Sequence, residues 1–430
     1  MTKVGLISLG CDKNRVDSER ILFNLANNGY ELTEDVSNAD VVIVNTCAFI
    51  GDAKKESIDN ILEMAELKKT SLKKLLVTGC FATRYGQDVR EDLPEVDAFV
   101  DIKDEEKIIE ILNSWFNYDT HIDRKCGRII TTPMHYAYLK IADGCNNRCS
   151  YCAIPFIRGK YISTPIEELV KEATTLYKEG VKELILVAQD TTNYGVDIYG
   201  KRSLVTLLKE LTKIDFWKIR LLYCYPELID EELIDFVVNN EKMAKYFDIP
   251  MQHINDEVLK KMHRRSNGGS IRNLVNLIRK KDSDITIRST FICGFPQETD
   301  EQSKELVSFV ESALDYAGFF VYSPEEGTKA YELDGRIKKG VASKRRLACE
   351  KAQVKSTINR HNRLVGRTLE VIYEGIDYNK SKFYGRSEFS APGIDPHITF
   401  TSDIPLEVGC VYNVEITKGG FYLEGKVVTE

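Results

Sequence analysis

Three cysteines in one short segment are the residues best suited to chemistry in this chain. Cys145, Cys149 and Cys152 are spaced as CxxxCxxC, directly after an apolar run, Tyr136 to Ala142, that predicts a β-strand. Three thiolates can hold three irons of a [4Fe–4S] cluster, which leaves the fourth iron open to an exogenous ligand. The motif therefore predicts a cluster that carries out chemistry as well as storing an electron.

Zinc binding and disulfide formation are the alternatives for these cysteines. A zinc site usually has four ligands, often as two CxxC pairs, and no fourth Cys or His follows the triplet nearby. Disulfide frameworks belong to small secreted chains, whereas this chain has 430 residues. The spacing therefore favours the iron–sulfur cluster.

A second set of cysteines is spread along the first third of the chain. Cys11, Cys47 and Cys80 each follow a predicted strand, and about one strand–helix unit separates each from the next. The carboxyl ends of parallel strands meet at one edge of a sheet, where such folds bind ligands. We therefore expect a second three-thiolate set assembled in space. The alternative is three unrelated buried cysteines, because free cysteine is often a core residue.

The remaining periodicities predict two further structural regions. Six strand–helix alternations from Tyr136 onward predict a partial (β/α)6 barrel with its site at the carboxyl ends of the strands. A long basic helix, Ser343 to Arg363, then leads to about five short strands, which predict a small antiparallel β-barrel. The expected fold class is thus α/β, with an N-terminal parallel α/β domain, the partial barrel and the terminal β-barrel.

Composition and charge restrict the compartment and the partners. No apolar run approaches the ~20 residues that span a bilayer, and the N-terminus lacks the features of a signal peptide. Eleven cysteines without an export signal indicate a reducing cytoplasm. The net charge of −7 argues weakly against nucleic acid as the main partner. The last 70 residues hold 7 basic and 10 acidic side chains, a net charge of −3.

The sequence around the triplet resembles the radical S-adenosylmethionine (SAM) enzymes. The resemblance lies in the triplet, in Gly144 before it and in Ala153-Ile154-Pro155 after it. It implies that Cys145, Cys149 and Cys152 are catalytic metal ligands and that SAM binds the open iron. It also implies that Tyr151 packs near the adenine of SAM.

Nearly the whole chain resembles one family, the radical-SAM methylthiotransferases. The matching features are the two cysteine sets, the terminal barrel and three motifs, Asn45–Ile50, Phe291–Pro296 and Tyr322–Thr328. The resemblance implies a methylthiotransferase domain at residues 1–120, a radical-SAM core at 131–360 and a TRAM domain at 363–430. It also implies two [4Fe–4S] clusters, with Cys11, Cys47 and Cys80 as catalytic metal ligands of the second one.

Two branches of this family compete for the chain. The run Ser8–Glu19 and the run Asp248–Ile254 resemble the branch that methylthiolates the β-carbon of an aspartate on the twelfth protein of the small ribosomal subunit. The alternative is a tRNA adenosine 2-methylthiotransferase. An acidic TRAM domain favours a basic ribosomal protein over tRNA, with Glu370, Glu374 and Glu388 as candidate contacts. A non-catalytic electron-transfer module is a third, weaker hypothesis.

The expected reaction requires a radical, because the β-carbon of aspartate is not usefully acidic. The resemblance implies SAM as radical source and methyl donor, and an electron donor such as flavodoxin or ferredoxin. No membrane partner is expected. Gln189, Gln252 and Arg288 lie on or just after predicted barrel strands and are candidate SAM contacts, with structural hydrogen bonds as the alternative for each. The other five cysteines are expected to pack in the core: Cys126, Cys224, Cys293, Cys349 and Cys410.

Overall fold

The computed structural model describes residues 1–118, 127–379 and 381–428, which form two compact units. The first unit comprises Met1–Pro133, Ala142–Ile162 and Ser323–Tyr331. The second comprises Met134–Ile141, Ser163–Tyr322 and Glu332–Glu430. Cys126 lies outside the described residues.

The first unit is built on a parallel five-stranded sheet. Its strands are β1 (Lys3–Ser8), β2 (Glu31–Leu32), β3 (Val41–Thr46), β4 (Lys74–Gly79) and β5 (Ala98–Phe99), in the order β2-β1-β3-β4-β5. Its first helices are α1 (Asp12–Asn27), α2 (Gly51–Glu66), α3 (Cys80–Tyr85) and α4 (Lys107–Phe116). The strands β2 and β5 were not expected, because two residues show no periodicity.

Strand β3 has a core on both of its faces. Val42 and Val44 pack with residues of α2, whereas Val41 and Ile43 pack with residues of α1 and α4. Alternate side chains of a strand point to opposite faces, so a strand buried on both sides must be apolar throughout. The parallel α/β domain that the sequence predicted is confirmed.

The second unit begins with β6 (Tyr136–Lys140), after which the chain returns briefly to the first unit. There it forms β7 (Ala142–Asp143) and the short helix α5 (Ile154–Ile157), and β8 (Ile162–Ser163) follows. The later parallel strands of the second unit are β9 (Glu183–Val187), β10 (Lys218–Leu221), β11 (Met243–Gln252), β12 (Thr286–Cys293) and β13 (Tyr316–Val321). Together with β6 they form one six-stranded sheet, with β6 and β13 at its two edges.

Helices connect these strands in the right order for a partial (β/α)6 barrel, which confirms the predicted architecture. They are α6 (Ile166–Lys178), α7 (Val196–Tyr199), α8 (Leu204–Leu211), α9 (Glu231–Asn239), α10 (Asp256–Lys261), α11 (Gly268–Lys281) and α12 (Asp300–Ala313). Helix α12 starts at a capping box, in which Thr299 and Gln302 each accept a backbone N–H of the other. The long helix α13 (Lys339–Asn362) follows and packs on α12 and β13.

Five strands close the C-terminal β-barrel. They are β14 (Thr368–Asp377), β15 (Lys382–Arg386), β16 (Ile398–Thr401), β17 (Val411–Lys418) and β18 (Leu423–Val427), in the closed order β14-β15-β16-β18-β17. Four neighbouring pairs are antiparallel, as predicted, and β16 and β18 are parallel. A closed ring with an odd number of strands cannot alternate direction throughout, so one parallel pair is required.

The loop between β15 and β16, residues 387–397, attaches this barrel to the six-stranded sheet; we call it the plug loop. Its Ala391 is fully buried among Ile185, Val187 and other residues of the sheet. Its Asp395 accepts a hydrogen bond from the hydroxyl of Tyr246, with an O···O distance of 2.6 Å. The two barrels of the second unit therefore share an apolar core.

Charged side chains beside the plug loop are also buried. Arg386 pairs with Glu183, the first residue of β9, at 2.8 Å, and Glu183 also pairs with Arg220 at 2.7 Å. Removing one partner of a buried ion pair leaves an uncompensated charge, so this group makes the attachment specific. Among the described residues, no helix has both the length and the apolar character that membrane spanning requires.

Candidate functional site

The structure brings Cys11, Cys47 and Cys80 to one edge of the five-stranded sheet; because they come first along the chain, we call them the first cysteine set. Cys11 and Cys47 follow β1 and β3, and Cys80 begins α3 directly after β4. The three strands are neighbours whose ends are in register, because Ser8 pairs with Asn45 and Thr46 pairs with Gly79. Cys47 and Cys80 are buried and Cys11 is half-buried.

Two glycines allow the segments that carry this set to approach each other closely. Gly10 has a φ of +86°, and a Cβ atom added there would lie 2.7 Å from Cβ and 2.9 Å from Sγ of Cys47. Gly79 has a φ of +88°, and a Cβ atom there would collide with the side chain of Asn45. Only glycine combines this left-handed backbone with so close an approach.

Burial dominates the electrostatics of these thiols. It raises the pKa of Cys47, and it raises the pKa of Cys80 to about 12. The charge of Arg158 acts in the opposite direction on both groups. Cys47 and Cys80 are therefore favoured as protonated thiols in the free protein, and metal binding must release their protons.

The triplet loop is closed by its own backbone. The N–H of Cys145 donates to the carbonyl of Gly159 at 3.1 Å, and the N–H of Cys152 donates to the carbonyl of Cys149 at 3.1 Å. Cys145 and Cys149 are buried and Cys152 is half-buried. These two backbone hydrogen bonds hold the first and the last cysteine of the loop in place.

Helix α5 joins the triplet loop to the first cysteine set, and both sets lie in the first unit. Ala153 and Ile157 pack in the same core cluster as Ala48, Cys80 and Phe81. The sequence predicted the two sets separately but gave no indication of this packing. It is a contact between positions more than 70 residues apart, which local periodicity does not report.

The donor set of each group suits an iron–sulfur cluster. Each group offers three thiols, at least two of them buried. Within the described part of the chain, no three His, Cys, Asp or Glu side chains converge on a single metal ion. A cluster distributes its thiolates over separate irons, so its ligands need not converge on one point.

The candidate SAM contacts are divided between the units. Tyr151 is half-buried in the first unit, whereas Gln189, Gln252 and Arg288 belong to the second. Gln252 ends β11 with a φ of +71°. Left-handed backbone is uncommon outside glycine and is concentrated at functional positions. The SAM-contacting roles of Tyr151, Gln189 and Gln252 stay predictions.

Arg288 already has two carboxylate partners. Its guanidinium group pairs with Asp248 at 2.8 Å and with Asp395 of the plug loop at 3.4 Å. Burial opposes the charged form of Arg288, but Asp248 and neighbouring groups raise its pKa above the ordinary value. These contacts favour a structural role for Arg288 over contact with SAM.

The acidic residues proposed as a docking face do not all face outward. Glu374 pairs with Arg386 at 2.8 Å and with His135 at 3.0 Å, and Glu388 pairs with Lys218 at 3.3 Å. The expectation is wrong for these two residues, because they attach the terminal barrel to the six-stranded sheet. Glu370 is exposed, as expected, and accepts a hydrogen bond from the indole of Trp217 at 3.3 Å.

Four of the five other cysteines fall within the described residues. Cys224, Cys293 and Cys349 are buried, as predicted, and Cys410 is half-buried. Sequence reasoning missed Arg158, Asn14 and Asp17, which contact one another beside the first cysteine set. No metal-ligand spacing marks these three residues. The available signals were that Arg158 lies close after the triplet and that Asn14 and Asp17 lie in the run Ser8–Glu19, which carries the family resemblance.

Three family models match successive stretches of the chain. They are the uncharacterized protein family UPF0004 at residues 3–101, the radical SAM superfamily at 139–310 and the TRAM domain at 365–428. The radical SAM match implies SAM and a [4Fe–4S] cluster as cofactors.

Curated relatives match over the full length. A protein named ribosomal protein uS12 methylthiotransferase RimO, from Thermoanaerobacter sp. (strain X514), is 46% identical over 95% of this chain and 96% of its own. Proteins of the same name from Clostridium kluyveri and Caldicellulosiruptor saccharolyticus are 44% and 43% identical over the whole of this chain. They are covered over 98% and 100% of their own lengths.

Solved structures share the fold at low sequence identity. The radical SAM methyltransferase TsrM from Kitasatospora setae, with cobalamin and a [4Fe–4S] cluster bound, superposes with a TM-score of 0.55 at 16% identity. The match covers 75% of this chain and 77% of that one. The cobalamin-dependent SAM radical enzyme OxsB has a TM-score of 0.53 at 14% identity, covering 82% of this chain and 56% of its own.

Proposed function

The chain belongs to the ribosomal protein uS12 methylthiotransferases, and we propose from this premise that it transfers a methylthio group to the β-carbon of an aspartate of that ribosomal protein. The observation that carries the proposal is the presence of two three-cysteine sets in one compact unit. One set suits radical generation and the other suits sulfur delivery. A single set would not account for both halves of the reaction.

The substrate carbon determines what the protein must provide. A β-carbon C–H bond of aspartate is too weakly acidic for a side-chain base, so a hydrogen atom must be removed instead. When bound, the two clusters supply the electron for SAM cleavage at the triplet and the sulfur for transfer at the other set. The protein holds the reacting groups close together and excludes water from them.

The residues of the chain have distinct tasks in this scheme. Cys145, Cys149 and Cys152 would hold the cluster that cleaves SAM, in a loop closed by backbone hydrogen bonds. Cys11, Cys47 and Cys80 would hold the sulfur-delivering cluster, at an edge where Gly10 and Gly79 allow close packing of the loops. The apolar packing of Ala153 and Ile157 against the core beside Cys80 keeps water from the region between the two loops.

The proposal extends to the domains and the partners. The family-model stretches support domains at residues 1–120, 131–360 and 363–430. The electron would come from a small redox protein such as flavodoxin or ferredoxin, and the reaction would take place in the cytoplasm. The basic ribosomal protein, free or on the ribosome, is the macromolecular substrate.

The decisive test is the mass of the ribosomal protein. Peptides of uS12 from cells with and without this protein are compared, and cells that contain only the Cys149→Ala variant serve as a matched control. We expect a methylthio mass increment on one aspartate only where the intact protein is present. Unmodified uS12 together with a methylthio group on tRNA adenosine would assign the chain to the tRNA branch.

The number of clusters is tested separately by iron analysis. Anaerobic reconstitution should load about eight irons per chain, and Mössbauer spectra should show two [4Fe–4S] clusters. Replacing Cys145, Cys149 and Cys152 together by Ala should leave about half of this iron. A wild-type limit near four irons would contradict the second cluster.

A further inference from the structure

Arg158 is a buried cation between the two cysteine sets of the first unit. It lies shortly after the triplet in sequence, and its side chain is only 2% exposed. One guanidinium nitrogen donates to Asp143 at 2.8 Å, just before the triplet loop. The other donates to Asp17 of α1 at 3.0 Å and to the side-chain oxygen of Asn14 at 2.5 Å. Arg158 therefore connects the triplet segment to α1.

Asn14 extends this connection to the loops of the first set. Its side-chain nitrogen donates to the carbonyl of Leu9 at 3.1 Å and to the carbonyl of Thr46 at 2.9 Å. Leu9 lies in the loop that carries Cys11, and Thr46 is the last residue of β3, directly before Cys47. In the metal-free protein, the side-chain oxygen of Asn14 also accepts from Sγ of Cys80 at 3.7 Å, a contact that ends when this thiol gives up its proton to bind metal. One amide thus holds two cysteine loops, and Arg158 donates to that amide.

The local charges give Arg158 a second effect. Three thiolates and an iron–sulfur core carry net negative charge, and the potential of such a cluster depends on the charges and hydrogen bonds around it. Asp17 and Asp143 add two negative charges nearby, and the single positive charge of Arg158 reduces the net negative charge around the set. Arginine keeps its charge at any working pH and can bridge several acceptors through its planar fork.

We propose that Arg158 is a positioning residue that holds the cysteine set Cys11, Cys47 and Cys80 in place relative to the triplet loop and offsets the negative charge of the cluster bound there. The inference rests on the proposed function, because it assumes a cluster at this set. It adds a residue that no thiolate motif identifies. Outer partners of metal ligands orient those ligands, and losing one usually costs roughly 10- to 100-fold in metal affinity.

The experiment isolates the first set. A parent protein with Cys145, Cys149 and Cys152 replaced by Ala is reconstituted, so that only Cys11, Cys47 and Cys80 can hold a cluster. Three quantities are measured: the iron content, the rate at which a chelator removes iron, and the midpoint potential followed by electron paramagnetic resonance. None of them depends on enzymatic activity. Variants at Arg158 are then built in this parent.

Arg158→Met should shift the midpoint potential to more negative values, because loss of a nearby cation makes adding an electron less favourable. Its iron should be removed roughly 10-fold faster than in the parent. Arg158→Lys keeps the charge, so its midpoint should stay near that of the parent. Its iron should still be lost faster, because an ammonium group cannot bridge Asp143, Asp17 and Asn14 together.

Arg128→Met is the matched control. Arg128 is also buried, and its carboxylate partner, Glu19 at 3.6 Å, also lies on α1. This variant should lower the melting temperature of the metal-free protein without moving the midpoint potential. Should Arg158→Met fail to fold, Arg158→Gln carries the same charge test, because its amide can still donate to Asp17.

Two results would count against the inference and are distinguishable. A parent that loads iron normally, with the same midpoint potential in Arg158→Met or Arg158→Gln, would overturn the role of Arg158 alone. A parent that binds no iron would overturn the second cluster of the proposed function, and the inference with it.

Discussion

Gly10 determines how closely the loops of the first cysteine set approach each other. Replacing Gly10 by Ala should displace Cys47, because the new methyl group would lie within 3 Å of its side chain. The φ of +86° adds a backbone penalty of about 1–2 kcal/mol. We expect the iron content after reconstitution to fall to about half, since only the triplet would still hold a cluster.

Gly29→Ala is the control for this prediction. Gly29 has nearly the same φ, +83°, but a Cβ atom there would have no neighbour within 4 Å. This variant carries the backbone penalty without the collision, so it should keep its full iron content. Equal iron contents in the two variants would show that Gly10 does not protect the position of Cys47.

The two cysteine sets should separate the two halves of the reaction. Cys149→Ala should abolish reductive SAM cleavage, because on the proposed function the triplet would hold the cluster that reduces SAM. Cys47→Ala should leave cleavage largely intact and stop methylthio transfer. Both quantities are measured in one reaction, as 5′-deoxyadenosine and modified uS12 peptide. Full peptide modification by Cys47→Ala would refute the sulfur-delivery role of the first set.

Helix α13 carries a buried histidine, His361, whose imidazole makes two hydrogen bonds and has a shifted pKa. His361 faces the hydroxyl of Tyr316 at 2.8 Å through Nε2, and the carbonyl of Gly420 at 2.9 Å through Nδ1. A neutral ring protonated at Nδ1 satisfies both partners, because it donates to the carbonyl and accepts from the hydroxyl. Burial lowers the pKa of His361 to about 4. The helix therefore joins β13 to the terminal barrel through an uncharged imidazole.

This contact predicts acid sensitivity of the second unit. The unfolded chain protonates His361 near pH 6.5 and the folded chain only near pH 4, so the stabilisation is complete above pH 6.5 and is lost as the pH falls through this window. Roughly 3 kcal/mol of unfolding free energy should be lost by pH 4. The measurement is urea unfolding between pH 7 and 4, in wild type and in His361→Gln. Parallel pH profiles for the two proteins would contradict the assignment.

An element was easy to predict when the residues that determine it lie close together in the sequence. The sequence pattern predicts a strand at Asp40–Asn45 and a helix at Asp52–Lys68, within one or two residues of β3 and α2, because their periodicity lies within the element itself. The partner of the plug loop was not predicted, because Ala391 meets residues of β9 about 200 positions earlier. The cysteines of the first set were predicted because each follows a strand. Arg158 was not predicted, because it contacts Asn14 and Asp17, which lie more than 140 positions earlier in the sequence.

Within the second unit, the terminal barrel completes the core of the larger barrel through the plug loop. We therefore expect that cutting the chain after residue 363 unfolds the six-stranded sheet. A more selective test is Ala391→Asp, which places a charge in the shared core and should destabilise the second unit by roughly 3 kcal/mol or more.

Ile394→Asp is the control within the same plug loop. Ile394 is 50% exposed, so a carboxylate there should change the unfolding free energy by no more than about 0.5 kcal/mol. Thermal and urea unfolding of both variants provide the comparison. Similar stability of the two variants would show that the two barrels fold independently.

The plug loop also determines the point in translation at which the second unit can complete its core. The first unit has all of its segments once residue 331 has been made, whereas the core of the second unit lacks Ala391 and Asp395 until residue 397. At the usual 5–20 residues per second, this interval lasts roughly 3–13 s. During it, the nascent chain already holds both cysteine sets in a completed unit, while the apolar interior of the six-stranded sheet still lacks its plug loop. Chaperone capture of the nascent chain should therefore concentrate on chains shorter than about 397 residues and decline sharply beyond that length.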